Sequence, residues 1–375
     1  MKALLPNVDP DGLLEYSVVY TDRALNHMSQ SFQGVMKDIS STLKEVYNAK
    51  AAIVVPGSGT YGMESVVRQF APNEKCLVIR NGWFSYRWTQ IFEMSGIAED
   101  HIVMKAQQLS DETQAPFQPA PIDEVVASIK EEKPAIVFAP HVETSSGMML
   151  PDDYMQAIGD AVHSVGGMFV LDCIASGTIW VDMEACNIDV LISAPQKGWS
   201  GPPCAGLVML NDTALEKLET TTSNSFAMNL KQWHIIMQAY EGGAHAYHAT
   251  MPTDALRLFR DIMEETREYG FAKAKENQLD LGRKVRELLA SKGIKSVAAE
   301  GFEAPGVVVS YTQDSDIQTG KKFGAIGMQI AAGVPLMCDE REDYKTFRLG
   351  LFGLDKLQNI DRSVASLDEA LSEVL

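Results

Sequence analysis

The sequence is poor in basic residues for its size. Its 375 residues include 32 lysines and arginines against 50 aspartates and glutamates, which gives a formal net charge of −18. Nucleic acids and anionic membrane surfaces repel so acidic a protein, so we expect neither as a partner. An anionic small molecule would have to be bound by local groups, because the field of the whole chain repels it.

Cysteine is scarce, and long apolar runs are missing. The five cysteines are scattered without a Cys-x-x-Cys pair, at Cys76, Cys173, Cys186, Cys204 and Cys338. This spacing indicates neither a zinc site nor a disulfide framework, and we expect a cytoplasmic protein. The histidines lack metal-ligand spacing, so no metal is predicted. No apolar run reaches the length of a membrane-spanning helix, and the N-terminal residues break before a signal-peptide core could form.

Short apolar runs do occur, and they alternate with amphipathic segments. Residues 51–55, 76–80 and 135–139 are such runs, whereas residues 31–49 have apolar side chains at helical spacing, and a further helix is predicted near residues 86–94. This alternation predicts an α/β fold, in which helices cover both faces of a mostly parallel sheet. The run 206–210 follows its predecessor after a short loop, so we expect it to pair antiparallel.

The pattern changes after residue 252, where we place a domain boundary. Residues 1–252 are predicted to form a large domain whose first twenty or so residues are an N-terminal arm. We expect this arm to pack against the small domain or a partner subunit. Residues 253–375 are predicted to form a smaller α+β domain with strands at 307–311 and 346–350. A chain of this length favours two domains, because one core rarely serves so many residues.

Two polar residues stand where apolar runs end, Asp172 after residues 167–171 and Lys197 shortly after residues 189–192. A lysine that enters a Gly/Pro-rich loop from a buried strand is partly desolvated, which favours its nucleophilic neutral amine. Ligands of open parallel sheets bind beyond the carboxyl ends of the strands, so we expect both side chains in one site. Pyridoxal 5′-phosphate (PLP) requires these two groups, a lysine to form the Schiff base and an aspartate to hold the pyridinium proton.

The segment 57–62, Gly-Ser-Gly-Thr-Tyr-Gly, follows a predicted strand and opens a helix. A helix N-terminus with free N–H groups suits a phosphate, although a Gly-rich turn capped by Thr60 would have the same sequence. The segment also matches the Gly-x-Gly-x-x-Gly of dinucleotide-binding domains. That alternative needs an acid at the end of the next strand, where the chain has Arg80. It stays open through an NADP phosphate on Arg80, but it leaves Asp172 and Lys197 unexplained.

Two more features are candidates for ligand contacts. The aromatic segment 83–86 follows a strand end, so one of its rings could stack on a cofactor; core packing is the alternative. Arg348 lies inside an apolar strand, and its guanidinium suits bidentate binding of a substrate carboxylate. An edge-strand arginine that reaches solvent would look the same.

Together these segments resemble the class V aminotransferases of PLP fold type I, above all the alanine–glyoxylate and serine–pyruvate (serine–glyoxylate) transaminases. The matching motifs occur in family order, at 57–60, 141–147, 172–176, 193–197, 247–250 and 348–350. The resemblance implies a large domain with a mostly parallel seven-stranded sheet between helices, and a smaller α+β C-terminal domain. It also implies an aminotransferase that moves an amino group from a small, alanine- or serine-like amino acid to a 2-oxo acid such as glyoxylate or pyruvate.

The resemblance gives a role to each matching residue. Lys197 would form the Schiff base and move the substrate proton, Asp172 would pair with the pyridinium, and Arg348 would bind the substrate carboxylate. The other cofactor contacts would come from Ser58, Gly59, Thr60 and Gln196 at the phosphate, Phe84 and Ile174 at the ring faces, Thr144 at the phenolic oxygen, and Tyr247 and Thr250 from the neighbouring subunit of a homodimer.

Two alternatives to a transaminase remain open. A PLP-dependent β-lyase or desulfurase-type elimination enzyme would share the cofactor, but relatives of that kind usually have histidine before the lysine, where this chain has Gln196. A nicotinamide-nucleotide-binding dehydrogenase would use the segment 57–62. The sequence names neither the amino donor nor the acceptor.

Overall fold

The computed structural model describes residues 5–98 and 100–375. Its strands are β1 (Ala51–Pro56), β2 (Cys76–Arg80), β3 (His101–Lys105), β4 (Gln107–Gln108), β5 (Phe117–Gln118), β6 (Ile136–Pro140), β7 (Val142–Glu143), β8 (Met148–Met149), β9 (Met168–Asp172), β10 (Val190–Ser193), β11 (Ala205–Leu210), β12 (Val307–Tyr311), β13 (Ala331–Ala332) and β14 (Thr346–Gly350). Its helices are α1 (Gln30–Tyr47), α2 (Gly59–Phe70), α3 (Trp83–Ser95), α4 (Ile122–Glu132), α5 (Asp152–Ser164), α6 (Asp212–Thr220), α7 (Leu230–Glu241), α8 (Thr253–Tyr269), α9 (Phe271–Ser291), α10 (Ser315–Gln318), α11 (Lys321–Ala325), α12 (Leu354–Leu357) and α13 (Ile360–Val374).

Seven strands form the central sheet, in the order β1-β11-β10-β9-β6-β2-β3. The neighbouring pairs from β10 to β3 are parallel, whereas β11 is antiparallel to both β10 and β1. The inner strands are buried along their whole length, because both faces of the sheet are covered. The predicted α/β fold with a mostly parallel sheet is confirmed, as is the antiparallel pairing of residues 206–210.

A second core lies in the C-terminal part of the chain, where β12, β14 and β13 form an antiparallel sheet in that order. Side chains of α9 and α13, such as Leu281 and Leu371, are buried there. Helix α8 instead packs buried side chains such as Phe259 into the core of the central sheet. The boundary at residue 252 stays a prediction. Gly270, where φ is 101°, separates α8 from α9, and the buried side chains of these two helices belong to different cores.

The described N-terminal residues lie against the start of α8. The guanidinium of Arg257 donates to the carbonyl of Val8 at 2.7 Å. The hydroxyl of Tyr20 donates to the carbonyl of Met251 at 3.0 Å. The predicted N-terminal arm therefore contacts the region on either side of residue 252 within its own chain, and its contact with a partner subunit stays a prediction.

A half-buried arginine connects the second core to the loop after β7. Arg286 of α9 donates to the carbonyls of Gly147 (3.4 Å), Ala304 (2.8 Å) and Val307 (3.4 Å), and to Oγ of Ser296 (3.1 Å). Burial lowers the pKa of Arg286 to about 10, so the group remains charged at neutral pH. These bonds hold the 144–147 loop in a fixed position against the sheet that contains β14.

Three findings concern chemistry elsewhere in the molecule. Among the residues that the structure describes, no helix combines the length and apolar character of a bilayer span. Within residues 5–98 and 100–375, no group of three or more His, Cys, Asp or Glu side chains is placed to hold a metal ion. The five cysteines are buried and unpaired, and burial raises the pKa of Cys204, the one nearest Lys197 in sequence, to about 11.

Candidate active site

The candidate site lies at the edge of the sheet where β1, β9 and β10 end. Strands β1 and β10 run in the same direction, with antiparallel β11 between them. Neighbouring strands are about 4.8 Å apart, so β1 and β10 are separated by about 10 Å. The turn at residues 57–60 follows β1, and the turn that contains Lys197 follows β10. The fold therefore brings these two predicted segments to one edge.

Helix α2 begins at Gly59 with Ser58 as its N-cap residue. Ser58 makes no side-chain capping hydrogen bond, so its hydroxyl and the first N–H groups of the helix are available to an anion. A Cβ at Gly59 would lie 2.6 Å from Cδ1 of Ile174 and 3.2 Å from Cβ of Ala194. Glycine is required at this close approach, where the helix N-terminus meets the segments that follow β9 and β10.

Asp172 is the last residue of β9, and it is 6% exposed. Its Oδ1 accepts a hydrogen bond from the backbone N–H of Ile174 at 2.9 Å. Burial raises the pKa of Asp172 to about 7, although the Ile174 hydrogen bond and the positive charges of Arg87 and Lys197 oppose the rise. A cationic ligand nitrogen beside this carboxylate would restore its charge.

Lys197 lies half-buried in the turn after β10, where its carbonyl accepts a hydrogen bond from the N–H of Ser200 at 3.0 Å. Its Nζ is 5.5 Å from the ring centroid of Phe352. Burial lowers the pKa of Lys197, and so does Arg348, whereas Asp172 raises it. Asp172 ends β9 and Lys197 follows the neighbouring parallel strand β10, so both lie at the same edge of the sheet. The lowered pKa favours a nucleophilic amine.

Phe84 lies in the first turn of α3, where two guanidinium groups approach its ring. The Cζ atoms of Arg348 and Arg87 lie 5.7 Å and 5.2 Å from the ring centroid. Arg348 also donates from Nε to the carbonyl of Ala332 at 2.7 Å and from Nη1 to that of Thr144 at 3.5 Å. Burial lowers the pKa of Arg348. The structure thus brings Phe84, Thr144 and Arg348 together.

The carboxylate of Glu143 is fully buried at the N-terminus of α3. It accepts hydrogen bonds from the backbone N–H groups of Phe84 (3.2 Å), Ser85 (2.8 Å) and Ser145 (3.1 Å). The hydroxyls of Ser85 and Ser145 donate to it as well, each at 2.7 Å. A carboxylate at a helix N-terminus satisfies free N–H groups and is stabilised by the helix dipole. Glu143 thereby fixes the turn that carries Phe84, a role that sequence reasoning missed.

For three predicted cofactor contacts, Gln196, Tyr247 and Thr250, the structure gives, among the residues it describes, no direct contact with the other residues of the site. Gln196 precedes Lys197, and its Oε1 is buried without a hydrogen-bond partner among the described residues. Tyr247 is 55% exposed, its hydroxyl lies 3.1 Å from Oγ1 of Thr250, and its ring centroid is 5.6 Å from that of His27. These contacts do not bring Tyr247 and Thr250 to the site of their own chain. Their contribution to a neighbouring subunit stays a prediction.

Arg87 belongs to the site although sequence reasoning did not single it out. Its Nη1 donates to Oγ1 of Thr60 at 2.9 Å, next to the N-terminus of α2. The sequence pattern placed the start of α3 near Tyr86, whereas the helix begins at Trp83. With the observed start, Arg87 lies three positions after Phe84 on the same helix face. A prediction that α3 begins at Trp83 would therefore have placed Arg87 on the same face as Phe84.

The topology disagrees with a dinucleotide-binding domain. In that fold the strand before the Gly-rich turn is central in a parallel sheet. Here β1 lies at the edge of the sheet and pairs antiparallel with β11. Arg80 is buried, donates to Oγ1 of Thr89 at 2.9 Å and lies 4.7 Å from the ring centroid of Tyr86. It is therefore not free to bind an NADP phosphate.

No protein-family model matches the chain. The alanine–glyoxylate aminotransferase of Oryctolagus cuniculus is 25% identical over 357 residues, which cover 92% of this chain and 86% of that protein. The 2-aminoethylphosphonate–pyruvate transaminase of Syntrophobacter fumaroxidans is 27% identical over 357 residues, which cover 91% and 89%. Among solved structures, alanine–glyoxylate aminotransferase from Nostoc sp. superposes with a TM-score of 0.77 at 19% identity, covering 92% and 89%.

These similarities extend over almost the whole chain. They confirm the resemblance that the motifs predicted, together with the predicted fold. Since the relatives are named as aminotransferases or transaminases, they also confirm the predicted class of enzyme. The chain is thus a relative of the class V aminotransferases and has their fold, PLP fold type I.

Proposed function

We propose that the protein is a PLP-dependent transaminase that moves an amino group from a small, alanine- or serine-like amino acid to a 2-oxo acid such as glyoxylate or pyruvate. One observation carries the proposal. A half-buried lysine with a lowered pKa, a buried carboxylate and a free helix N-terminus meet at one edge of the sheet. The names of the relatives, which include glyoxylate and pyruvate, support the choice of acceptor.

The residues at this edge fit PLP. The free N-terminus of α2, where glycine leaves room for close approach, suits the phosphate. Asp172 suits the pyridinium nitrogen, because that cation would compensate a buried carboxylate. The proposed contacts are Ser58, Gly59, Thr60 and Gln196 with the phosphate, Phe84 and Ile174 with the ring faces, Thr144 with the phenolic oxygen, and Asp172 and Lys197 with the ring nitrogen and the aldehyde.

Bound PLP supplies an electron sink for the negative charge that forms at the substrate α-carbon. Lys197 is the group that moves the proton at this carbon, because its lowered pKa makes more of the amine available as a base near neutral pH. Asp172 holds the proton of the ring nitrogen. Arg348 binds the substrate carboxylate through its guanidinium and so orients the α-carbon toward Lys197.

The proposed enzyme is a homodimer in which each subunit completes the phosphate site of the other. Tyr247 is 55% exposed, and its hydroxyl pairs with Thr250 at the surface, where a neighbouring subunit can be reached. In the proposed dimer both hydroxyls donate to the phosphate.

The Lys197→Ala variant tests the proposal. We expect it to lose all turnover and the visible absorbance band of bound PLP, because no other amine replaces Lys197 at the end of β10. Lys321→Ala, at a lysine whose side chain is 74% exposed, is the matched control and should resemble the wild type. A fully active Lys197→Ala enzyme would refute the proposal.

A second measurement separates transamination from elimination. With amino donor and no 2-oxo acid, a transaminase stops after one half-reaction per site. Continued release of ammonia or sulfide under these conditions would instead identify a β-lyase or desulfurase. Assays of a panel of amino donors against glyoxylate, pyruvate and 2-oxoglutarate would then define the substrates.

A further inference from the structure

Arg87 touches the proposed phosphate site but is not among the cofactor contacts proposed so far. Its Nη1 donates to Oγ1 of Thr60 at 2.9 Å, in the first turn of α2. Its Cζ lies 5.2 Å from the ring centroid of Phe84. The guanidinium is therefore adjacent both to the turn proposed for the phosphate and to the ring proposed to stack on the cofactor.

Without Arg87, the proposed phosphate site contains no cation. Its other members are neutral: Ser58, Gly59, Thr60, Gln196, and Tyr247 and Thr250 from the neighbouring subunit. A phosphate monoester carries about −1.5 to −2 charges at neutral pH. The N-terminus of α2 supplies only about half a positive charge through its dipole. In a chain of net charge −18, a phosphate needs a further local cation.

The hydrogen bond to Thr60 leaves both partners able to bind an anion. Thr60 accepts from Arg87, so the hydroxyl hydrogen of Thr60 remains free to donate to a phosphate oxygen. Arg87 uses one of its five donors in this bond, and its Cζ lies over the ring of Phe84. Within the described part of the chain, Arg87 forms no ion pair, so its charge is available to a ligand.

The charge of Arg87 also acts on the rest of the site. It lowers the pKa of Asp172 and that of Lys197, which lie beyond the ends of β9 and β10. The charge of Arg87 is therefore felt at both groups. Both effects are minor beside burial, and they agree with the geometry at Thr60.

We propose that Arg87 binds the phosphate group of the cofactor and supplies the cation that the rest of the phosphate site lacks. This inference rests on the proposed PLP-dependent function. Because Arg87 follows Phe84 by three positions on α3, one helical turn provides both the stacking ring and the phosphate cation.

Titration of the cofactor-free protein with PLP, and with pyridoxal, which lacks the phosphate, tests the role of Arg87. Binding is followed by visible absorbance and by quenching of tryptophan fluorescence. The Arg87→Met variant should bind PLP roughly 10- to 100-fold more weakly, as expected for the loss of a charged hydrogen bond, and pyridoxal as tightly as the wild type. Arg87→Lys keeps the charge and should recover part of the loss. Arg283→Met, at an arginine whose side chain is 57% exposed, is the matched control.

Thermal unfolding of the cofactor-free variants shows whether each is folded, and Arg87→Lys provides the comparison if Arg87→Met is not. An equal loss of affinity for PLP and pyridoxal would overturn the proposal, because it would assign Arg87 to the ring or to the fold. Unchanged PLP affinity with a raised KM for the amino acid would assign it to the substrate and overturn the proposal too. A wild-type protein that binds no PLP would instead overturn the proposed function itself.

Discussion

Three ionisable side chains of the site are wholly or partly removed from water. Burial shifts the pKa of each in the direction that favours its neutral form. Burial raises the pKa of Asp172 and lowers those of Lys197 and Arg348. Such shifts, combined in one cleft, are typical of catalytic sites. At the scale of single residues, therefore, burial in the cofactor-free protein disfavours the charged forms of all three groups, and a ligand of opposite charge would favour them.

Asp172 should make the cofactor-free protein less stable as the pH rises. Its pKa is about 7 in the folded chain against a model value of 3.8, so between these values the folded state keeps a proton that the unfolded state releases. The free energy of unfolding falls with pH wherever the folded state binds more protons. We expect the drop between pH 5 and pH 8, measured by urea unfolding, to be smaller in Asp172→Asn by about 2 kcal/mol.

The comparison with the variant isolates Asp172 together with its effect on the pKa of Lys197, because titrating residues away from the site contribute equally to both proteins. The same measurement with PLP bound provides the control, since a pyridinium partner stabilises the charged carboxylate. Identical pH dependence in the cofactor-free wild type and variant would contradict the assigned burial of Asp172.

At the scale of elements, helix α3 depends on a residue that lies far away in the sequence. Its N-cap residue is Gly82, which has no side chain to accept a hydrogen bond, and Glu143 satisfies the N–H groups of Phe84 and Ser85 instead. We expect Glu143→Gln to lower the free energy of unfolding by about 2 kcal/mol, because it removes charge-assisted hydrogen bonds to a buried group. Urea unfolding of the cofactor-free protein measures the loss.

The exposed Glu93 near the other end of α3 offers a matched control. Glu93→Gln should change the free energy of unfolding by no more than about 0.5 kcal/mol. Since Glu143 also fixes the turn that carries Phe84, Glu143→Gln should weaken the binding of pyridoxal as well as PLP. Equal stability of the two glutamine variants would show that Glu143 does not hold the helix.

The same contact explains why the sequence predicted some elements better than others. Strands at 76–80, 307–311 and 346–350 have their predicted bounds. The first two are apolar runs flanked by polar residues or glycine, and the third begins after Lys345 and ends at Gly350. The start of α3 was predicted one turn late, because its cap comes from Glu143 and not from a neighbouring residue. Edge strand β3 was missed, since it is half-buried and begins and ends with His and Lys.

The site residues differ in the same way: some follow from the local sequence, and others depend on contacts between distant elements. Asp172, Lys197 and Ser58 were predictable because each follows an apolar strand, and strand ends converge at one edge of a parallel sheet. Arg87 was not, because its place depends on the exact start of α3 and on contact with Thr60 in another helix. A sequence pattern marks where strands end, but it does not show which helical side chains meet there.

At the scale of the whole molecule, the proposed dimer predicts complementation between defective subunits. Lys197→Ala removes the amine from its own site, and the double substitution Tyr247→Phe with Thr250→Val removes the hydroxyls from the partner's site. In a hybrid of the two, one site would have both the amine and the hydroxyls. At limiting PLP we expect the hybrid, purified through two different tags, to regain up to about half of the wild-type activity.

The homodimers of each defective subunit are the controls, and they should stay inactive or weakly active. A purified hybrid that regains no activity would show that Tyr247 and Thr250 do not serve the neighbouring subunit. Sedimentation of the same samples checks that the hybrid is a dimer, so that a lack of assembly is not mistaken for a lack of complementation.

The antiparallel strand β11 has a consequence for which molecules the site accepts. It stands between β1 and β10 and keeps these two strands, which lead to the turn at residues 57–60 and to the turn with Lys197, about two strand spacings or roughly 10 Å apart. The strand spacing thus sets the distance that a ligand bound by both segments must span. A small aldehyde would reach the amine but would make no contact with the helix N-terminus. A free phosphate would bind the helix N-terminus but would not react with the amine. Length, as much as reactivity, selects the ligand that bridges the two.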